Sequence, residues 1–415
     1  MGETASVGST TNRLRLLFLN IGHAFDHWFV LIVATAVIAM EAHFSLSYSE
    51  LMALSTPGFL AFGLGSIPAG WLGDRWSREG MIAAFFLGIG AACLATGLAR
   101  SPFELAVALT LLGAFAAIYH PVGIAMVAEG GSPGTLGRRL GVNGVWGNMG
   151  VAGAALVTGV LVDLAGWRAA FLLPGGLALA TGIAFTAFVR RHGLTPRRAT
   201  AREGDAGRMR AGWKRVLGIV AVATVMVALQ FNAVTVAMPR VLEERLAGLV
   251  VTTTGVGAVA AGIYAVAAFV QIVVGWALDR IAVRPLLIAI AAGQAVAMVA
   301  AAYSEGWLMV GAGTAVMILV FAQIPVGGTL IARYTPARIR SRVYGLQFLV
   351  VFGVGGLAVP MIAVLHGVGG FVAMFLTLAF LGTITCIAAV AMPGGGGAVP
   401  PRSGAFSEAR SRPTT

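Results

Sequence analysis

Lysine is almost missing from this chain: Lys214 is the only one in 415 residues. A phosphate-cradling loop needs Gly-Lys-Ser or Gly-Lys-Thr, so no such nucleotide-hydrolysis motif exists here. A retinal Schiff base is excluded too, because Lys214 sits at the edge of an apolar run and not in its middle. Cysteine is nearly as scarce. Cys93 and Cys386 lie in distant apolar runs, which offers neither a disulfide framework nor metal-ligand spacing. Charge is thin throughout, at 11% of residues against 58% hydrophobic, and no water-soluble core absorbs that much apolar surface. Of six histidines, His43, His192 and His366 fall in or beside loops without partners at ligand spacing. Membrane enzymes need clustered His, Asp or Glu for metal or acid–base chemistry. No enzyme activity, cofactor or resident metal is therefore expected.

What is present is apolar sequence in long blocks. A span needs about 20 mostly apolar residues, and that rule gives twelve predicted helices. The first six are 16–40, 50–72, 81–99, 103–128, 140–162 and 168–189. The second six are 214–238, 252–278, 284–303, 307–332, 343–365 and 368–391. The first apolar run follows Arg13 and Arg15 without a small-residue cleavage site, so it reads as a spanning helix and not a removed signal. The 57 glycines fit lipid-embedded helices, whose close approach depends on small residues.

The formal charge of +12 is placed between these blocks. That placement argues for orientation signals and against nucleic acid as a partner. Of 28 basic residues, 24 fall on the side that holds both termini, and only Arg100, Arg168, Arg240 and Arg245 fall on the other. An excess of Lys and Arg marks the cytoplasm, so both termini are expected there, in a bacterial-type inner membrane. The polar stretch between the two sets of six carries nine basic residues from Arg190 to Arg215. It reads as a solvated linker that touches anionic lipid headgroups. The expected organisation is a six-helix bundle at 1–190, a basic cytoplasmic linker at 191–213, a second bundle at 214–392 and a disordered cytoplasmic tail at 393–415.

A repeat ties the halves together. Gly70-Trp71-Leu72-Gly73-Asp74-Arg75 recurs as Gly275-Trp276-Ala277-Leu278-Asp279-Arg280, 205 residues later. Pro121 pairs with Pro325, Arg138 with Arg342 and Gly141 with Gly345 at an offset of 204. Two matched places at nearly one interval argue for duplication of a six-helix unit. The loop signature Gly70, Asp74, Arg75, Arg78, followed by Glu79 and Gly80, resembles that of the major facilitator superfamily of transporters. The resemblance covers nearly the whole chain in helix count, linker and repeat. It implies an all-α membrane protein of twelve transmembrane helices in two six-helix pseudo-repeats. It further implies gating roles for Gly70, Asp74, Arg75 and Arg78, and for Asp279 and Arg280 in the second copy. A cap on a short turn is the plainer reading of Asp74 and Arg75.

Among 16 acidic residues only Asp26 lies well inside a predicted span. It is about ten residues, or roughly 15 Å, into helix 1, and a lone carboxylate there costs at least about 2.5–3.5 kcal/mol. Asn20, His23, Asp26 and His27 share one helical face. Burial and pairing push such groups in opposite senses, which leaves room for proton exchange near physiological pH. On helix 4, Tyr119-His120-Pro121 frees a backbone carbonyl, and the His120 face is lined by Gly113, Ala116, Ala117 and Gly123. The plainer reading makes these histidines interhelical hydrogen-bonders. In the superfamily that the chain resembles, helices 1, 4, 7 and 10 line a central cavity, so His120 would meet the helix 1 cluster across it.

The second half offers only neutral polar groups at corresponding places, Gln230, Asn232 and Gln323. Asn143, Trp146, Asn148, Tyr264, Gln271, Tyr344 and Gln347 are further lining candidates. The His-Asp-His pattern with the His-Pro pair also resembles the fosmidomycin-resistance branch of the superfamily. That likeness implies proton-driven export of a small polar or anionic compound, although helix 4 lacks the arginine of many proton-coupled exporters. The expected partners are a small-molecule solute, protons and the bilayer, with the chain acting as a monomer. Proton-linked uptake of a small carboxylate is the second reading, weakened by the lack of a mid-membrane cation. A non-transporting receptor or scaffold on the same fold is the third.

Overall fold

The computed structural model describes residues 9–129, 136–193, 209, 211–278, 280–336, 343, 346, 347, 349–351 and 353–393. Within these the chain is helical. In order the helices are α1 (Ser9–Phe44), α2 (Tyr48–Arg75), α3 (Arg78–Leu98), α4 (Pro102–Ala116), a π-helical turn (Tyr119–Gly123) and α5 (Ile124–Glu129). There follow α6 (Leu136–Ala165), α7 (Ala169–Arg191), α8 (Trp213–Arg245), α9 (Thr253–Leu278), α10 (Val283–Tyr303), α11 (Gly306–Tyr334) and α12 (Ala358–Val390). The predicted linker at 191–213 and tail at 393–415 lie mostly outside the described residues.

Helix starts are written in the sequence. Ser47 accepts from Glu50 N while Glu50 accepts from Ser47 N, a reciprocal cap on α2. Ser77 accepts from Gly80 N at the head of α3. Ser101 does the same for Glu104 N at α4, where Pro102 occupies the first turn. Glycine supplies the stops, as at Gly166 with φ +81° after α6.

Among the described residues eleven helices are long and apolar enough to cross a membrane, where twelve were expected. The difference lies at the C-terminal end. One 42-residue stretch, Leu349–Val390, covers predicted helices 11 and 12. Its path is not continuous, because Gly369 and Gly370 have non-helical backbone angles, with φ +61° at Gly370. The break falls where the sequence separates the two apolar runs.

Small residues set the packing. A Cβ on Gly58 would lie 2.5 Å from Leu109 O, so α2 and α4 touch backbone to backbone. A Cβ on Gly90 would lie 2.9 Å from Gly175 O, and α3 meets α7 in the same way. The first half (α1 to α7) and the second (α8 to α12) are joined most closely along α6 and α9. There Gly257 faces Ala155 O and Gly159 faces Thr253 O.

The joint is concentrated at the end of the bundle remote from the start of α1, called here the far end. Arg240 Nη1 of α8 lies 2.6 Å from Glu41 Oε2 of α1. Asp163 of α6 accepts from the backbone N–H groups of Thr253 and Thr254 at 3.1 and 2.6 Å, which caps α9 across the interface. Ser49 Oγ of α2 meets His366 Nδ1 of α12 at 3.1 Å. Towards the near end a Cβ on Gly141, Gly144 or Gly275 would meet nothing within 4 Å.

Candidate functional site: a buried carboxylate under three histidines

α1 presents Asn20, His23, Asp26 and His27 on one face because residues three and four apart stack along a helix. Opposite them the chain leaves regular helix. Pro121 has no N–H to donate, and the backbone answers with the π-helical turn Tyr119–Gly123, a local widening that aims His120 at α1. His120 Nδ1 lies 2.9 Å from Asp26 Oδ2. The Asp26 side chain is fully buried, and beyond this imidazole neither carboxylate oxygen has a polar partner among the described residues.

The three imidazoles form a triangle. Ring centres are 5.1 Å apart for His23 and His27, 5.3 Å for His23 and His120, and 5.2 Å for His27 and His120. One ring nitrogen from each comes within 4.8 Å of the others. Spacing alone did not join His120 to the α1 histidines; the expected meeting of helices 1 and 4 did, and the structure adds the triangle.

Asn143 of α6 organises the surroundings. Its carbonyl oxygen is 2.8 Å from His23 Nδ1, and its amide donates to Asn20 Oδ1 at 3.0 Å and to Tyr119 Oη at 2.9 Å. The Tyr119 hydroxyl donates to Leu19 O at 2.6 Å. His23 stacks on Tyr119 with ring centres 5.1 Å apart. Gly147 passes so close to His23 that a Cβ there would lie 2.6 Å from Nε2.

The second-half candidates are not gathered into one site. Gln230 is fully buried and donates to Leu378 O at 3.0 Å, which ties α8 to α12. Gln323 donates to Ala223 O at 3.2 Å and ties α11 to α8. Tyr264 donates to Thr235 O at 2.8 Å. Asn232 bonds its own helix through Ala228 O, beside Gly355. Gln347 is half-buried against Gly327, and Trp146 is half-buried on α6. Asn148 and Gln271 are likewise half-buried, and Tyr344 lies outside the described residues.

In the expected gating loop, Gly70 packs against Pro121, where a Cβ would come within 3.2 Å of the proline ring. Arg75 lies over the Trp71 ring at 4.4 Å, and Arg280 lies over Trp276 at 4.2 Å. Both copies of the repeated segment thus fold each arginine onto the tryptophan four residues earlier. Arg78 opens α3. The side chains of Asp74 and Arg138, and the whole of Asp279, Arg342 and Gly345, lie outside the described residues. Of the far-end partners, Glu41 and Asp163 were not singled out in the sequence, Arg240 counted only towards orientation, and His366 read as a loop histidine without partners. Opposite charges at facing ends of α1 and α8 were the available signal.

Residues 16–239 match the family model described as Major Facilitator Superfamily. The chain belongs to the Major Facilitator Superfamily. The tetracenomycin C resistance and export protein of Streptomyces glaucescens is 31% identical over 150 residues, 35% of this chain and 28% of that protein. A puromycin resistance protein of Streptomyces alboniger is 30% identical over 138 residues, 33% of this chain and 27% of that one. The chain thus spans under a third of these curated relatives. By fold it is similar to a bacterial homologue of the human lysosomal transporter Spinster, with a TM-score of 0.77 at 16% identity. That match covers 92% of this chain and 96% of the other. A peptide transporter bound to sulfate gives 0.71 at 15% identity over 96% of both chains.

Proposed function

We propose that this superfamily member is a proton-coupled exporter of a small polar or anionic compound or drug, working by alternating access in a bacterial inner membrane. Both termini then lie in the cytoplasm, as the 24 basic residues on that side imply. The observation that carries the coupling is Asp26, a fully buried carboxylate whose one polar partner among the described residues is the imidazole of His120. Burying such a charge is costly unless it is paired or neutralised. A group that gains and loses a proton as the bundle opens to either side turns that cost into coupling. His120 is its immediate partner, and His23 and His27 stand behind it. Gly70, Asp74, Arg75, Arg78, Asp279 and Arg280 serve as the near-end gate in this scheme. Asn20, Tyr119, Asn143, Trp146, Gln230, Asn232, Gln323, Tyr264 and Gln347 remain the cavity candidates.

Export is favoured by the resistance and export names of the partial relatives. The fosmidomycin-resistance branch rests on His23, Asp26, His27 and His120 alone, and the matched relatives carry other drug names. A monomer is the working unit, since each chain holds both halves. The test is uptake of aromatic antibiotics of the tetracenomycin and puromycin kind into inverted proteoliposomes under an imposed pH gradient. Wild type accumulates a substrate against its gradient. Asp26→Asn abolishes accumulation but keeps downhill exchange, and unchanged accumulation in that variant overturns the assignment.

A further inference from the structure

We infer that His23, His27 and His120 form a binding site for a borderline transition-metal dication of the Zn2+ type, with Asp26 as its outer partner. The inference goes beyond proton coupling and holds whether or not protons drive transport.

The triangle has the dimensions that such an ion needs. An imidazole nitrogen sits about 2.0–2.1 Å from zinc, which puts the ring centre about 3.2 Å from the ion. In tetrahedral geometry, ring centres are then about 5.2 Å apart. The three separations here are 5.1, 5.3 and 5.2 Å. Three nitrogens on one tetrahedral ion stand about 3.4 Å apart, whereas these lie within 4.8 Å. The remaining adjustment is rotation of rings about centres that already stand in place. No helix needs to move. His23 and His27 supply the i, i+4 pair that helical metal sites use.

The outer contacts set the tautomers. Asn143 O can only accept, so His23 Nδ1 carries its proton and Nε2 is left with the lone pair. Asp26 Oδ2 does the same for His120 Nδ1. A histidine ligand whose far nitrogen donates to a carbonyl or carboxylate is the usual support of a metal site. The carboxylate also supplies negative charge beside a buried dication, which offsets part of the cost of burying that charge. Three neutral imidazoles without an oxygen ligand exclude Ca2+ and Mg2+ and suit Zn2+, Co2+ or Ni2+. The fourth position stays open to water or a solute group.

The test uses the purified full chain in detergent, with Zn2+ by equilibrium dialysis and Co2+ by visible absorption. One saturable Zn2+ is expected per chain, together with the intense band of tetrahedral cobalt. His27→Asn and His120→Asn lose the site, while His43→Asn and His192→Asn keep it. Asp26→Asn weakens binding about 10- to 100-fold. Monodisperse elution of each variant separates loss of a ligand from misfolding. The weak spectrum of octahedral cobalt in wild type overturns the inference without any variant, as does Zn2+ binding that survives loss of His27 and His120. Asp26→Asn with lost accumulation and intact Zn2+ affinity leaves the coupling reading standing and removes Asp26 from the metal site.

Discussion

Asn143 is the residue on which most of the candidate site hangs. One side chain and its own carbonyl reach Asn20, Tyr119 and His23, and so fasten α6 to both α1 and the π-helical turn. Its amide is 2% exposed, so water cannot replace a lost partner. Interhelical hydrogen bonds in membranes average only about 0.6 kcal/mol by double-mutant cycle, with a maximum near about 1.7. Tyr119 spends its hydroxyl on both Asn143 and Leu19 O, which places the pair towards the upper figure. Asn143→Ala and Tyr119→Phe are each expected to destabilise the protein, and the double variant to cost less than the sum by about 1 kcal/mol. Unfolding in mixed detergent micelles measures this, and strict additivity removes the network. Gly147 gives a second probe at the same scale. A Cβ 2.6 Å from His23 Nε2 must push the ring away from Asn143 O. Gly147→Ala is therefore expected to destabilise by about 1–3 kcal/mol.

The element that matters most is the interruption of the fourth apolar span. α4 ends at Ala116, the backbone widens over Tyr119–Gly123, and α5 continues the same direction. A π-turn carries one residue more than a regular turn and so re-aims what it contains, here His120. Pro121→Ala restores the missing N–H and favours regular helix. It is expected to leave thermal stability equal or higher while transport falls about tenfold or more, because a displacement near 1 Å is enough for such a loss. Retained transport with a raised melting point means that the turn is incidental. The sequence already spoke for this element through His120-Pro121 and through the small residues beside it. It spoke as clearly for Asp26, since an acid in a long apolar run needs no structure to stand out. The residues alone did not put His120 beside the α1 histidines, about a hundred residues away; the superfamily resemblance implied that they meet across a cavity, and their triangular arrangement comes from packing. Gln230 and Gln323 read as cavity residues by position, yet both donate to carbonyls of neighbouring helices. Burial, which periodicity in an all-apolar helix does not encode, made that difference.

For the whole molecule the question is what holds α1 to α7 against α8 to α12 at the far end. Arg240 is the centre of the far-end joint. It reaches Glu41 across the interface at 2.6 Å and Glu243 and Glu244 on its own helix at 2.8 and 2.9 Å, and it lies over the Tyr48 ring at 5.6 Å. Removing the cation leaves three carboxylates facing one another, and the cheapest relief is to separate α1 from α8. These groups are partly exposed, so solvent screens much of the Coulomb energy. A net effect of about 1–2 kcal/mol still changes the ratio of closed to open far ends about five- to thirtyfold. Arg240→Gln is therefore expected to open that end. Spin labels at Leu164 and Val251, which are 79% and 85% exposed on opposite sides of the joint, report the change as a longer interlabel distance. The exchange Glu41→Arg with Arg240→Glu is expected to restore part of the short-distance population. An unchanged distance distribution in Arg240→Gln would instead assign the joint to the Asp163 cap on α9 and to the glycine contacts of α6, which carry no charge that the arginine controls.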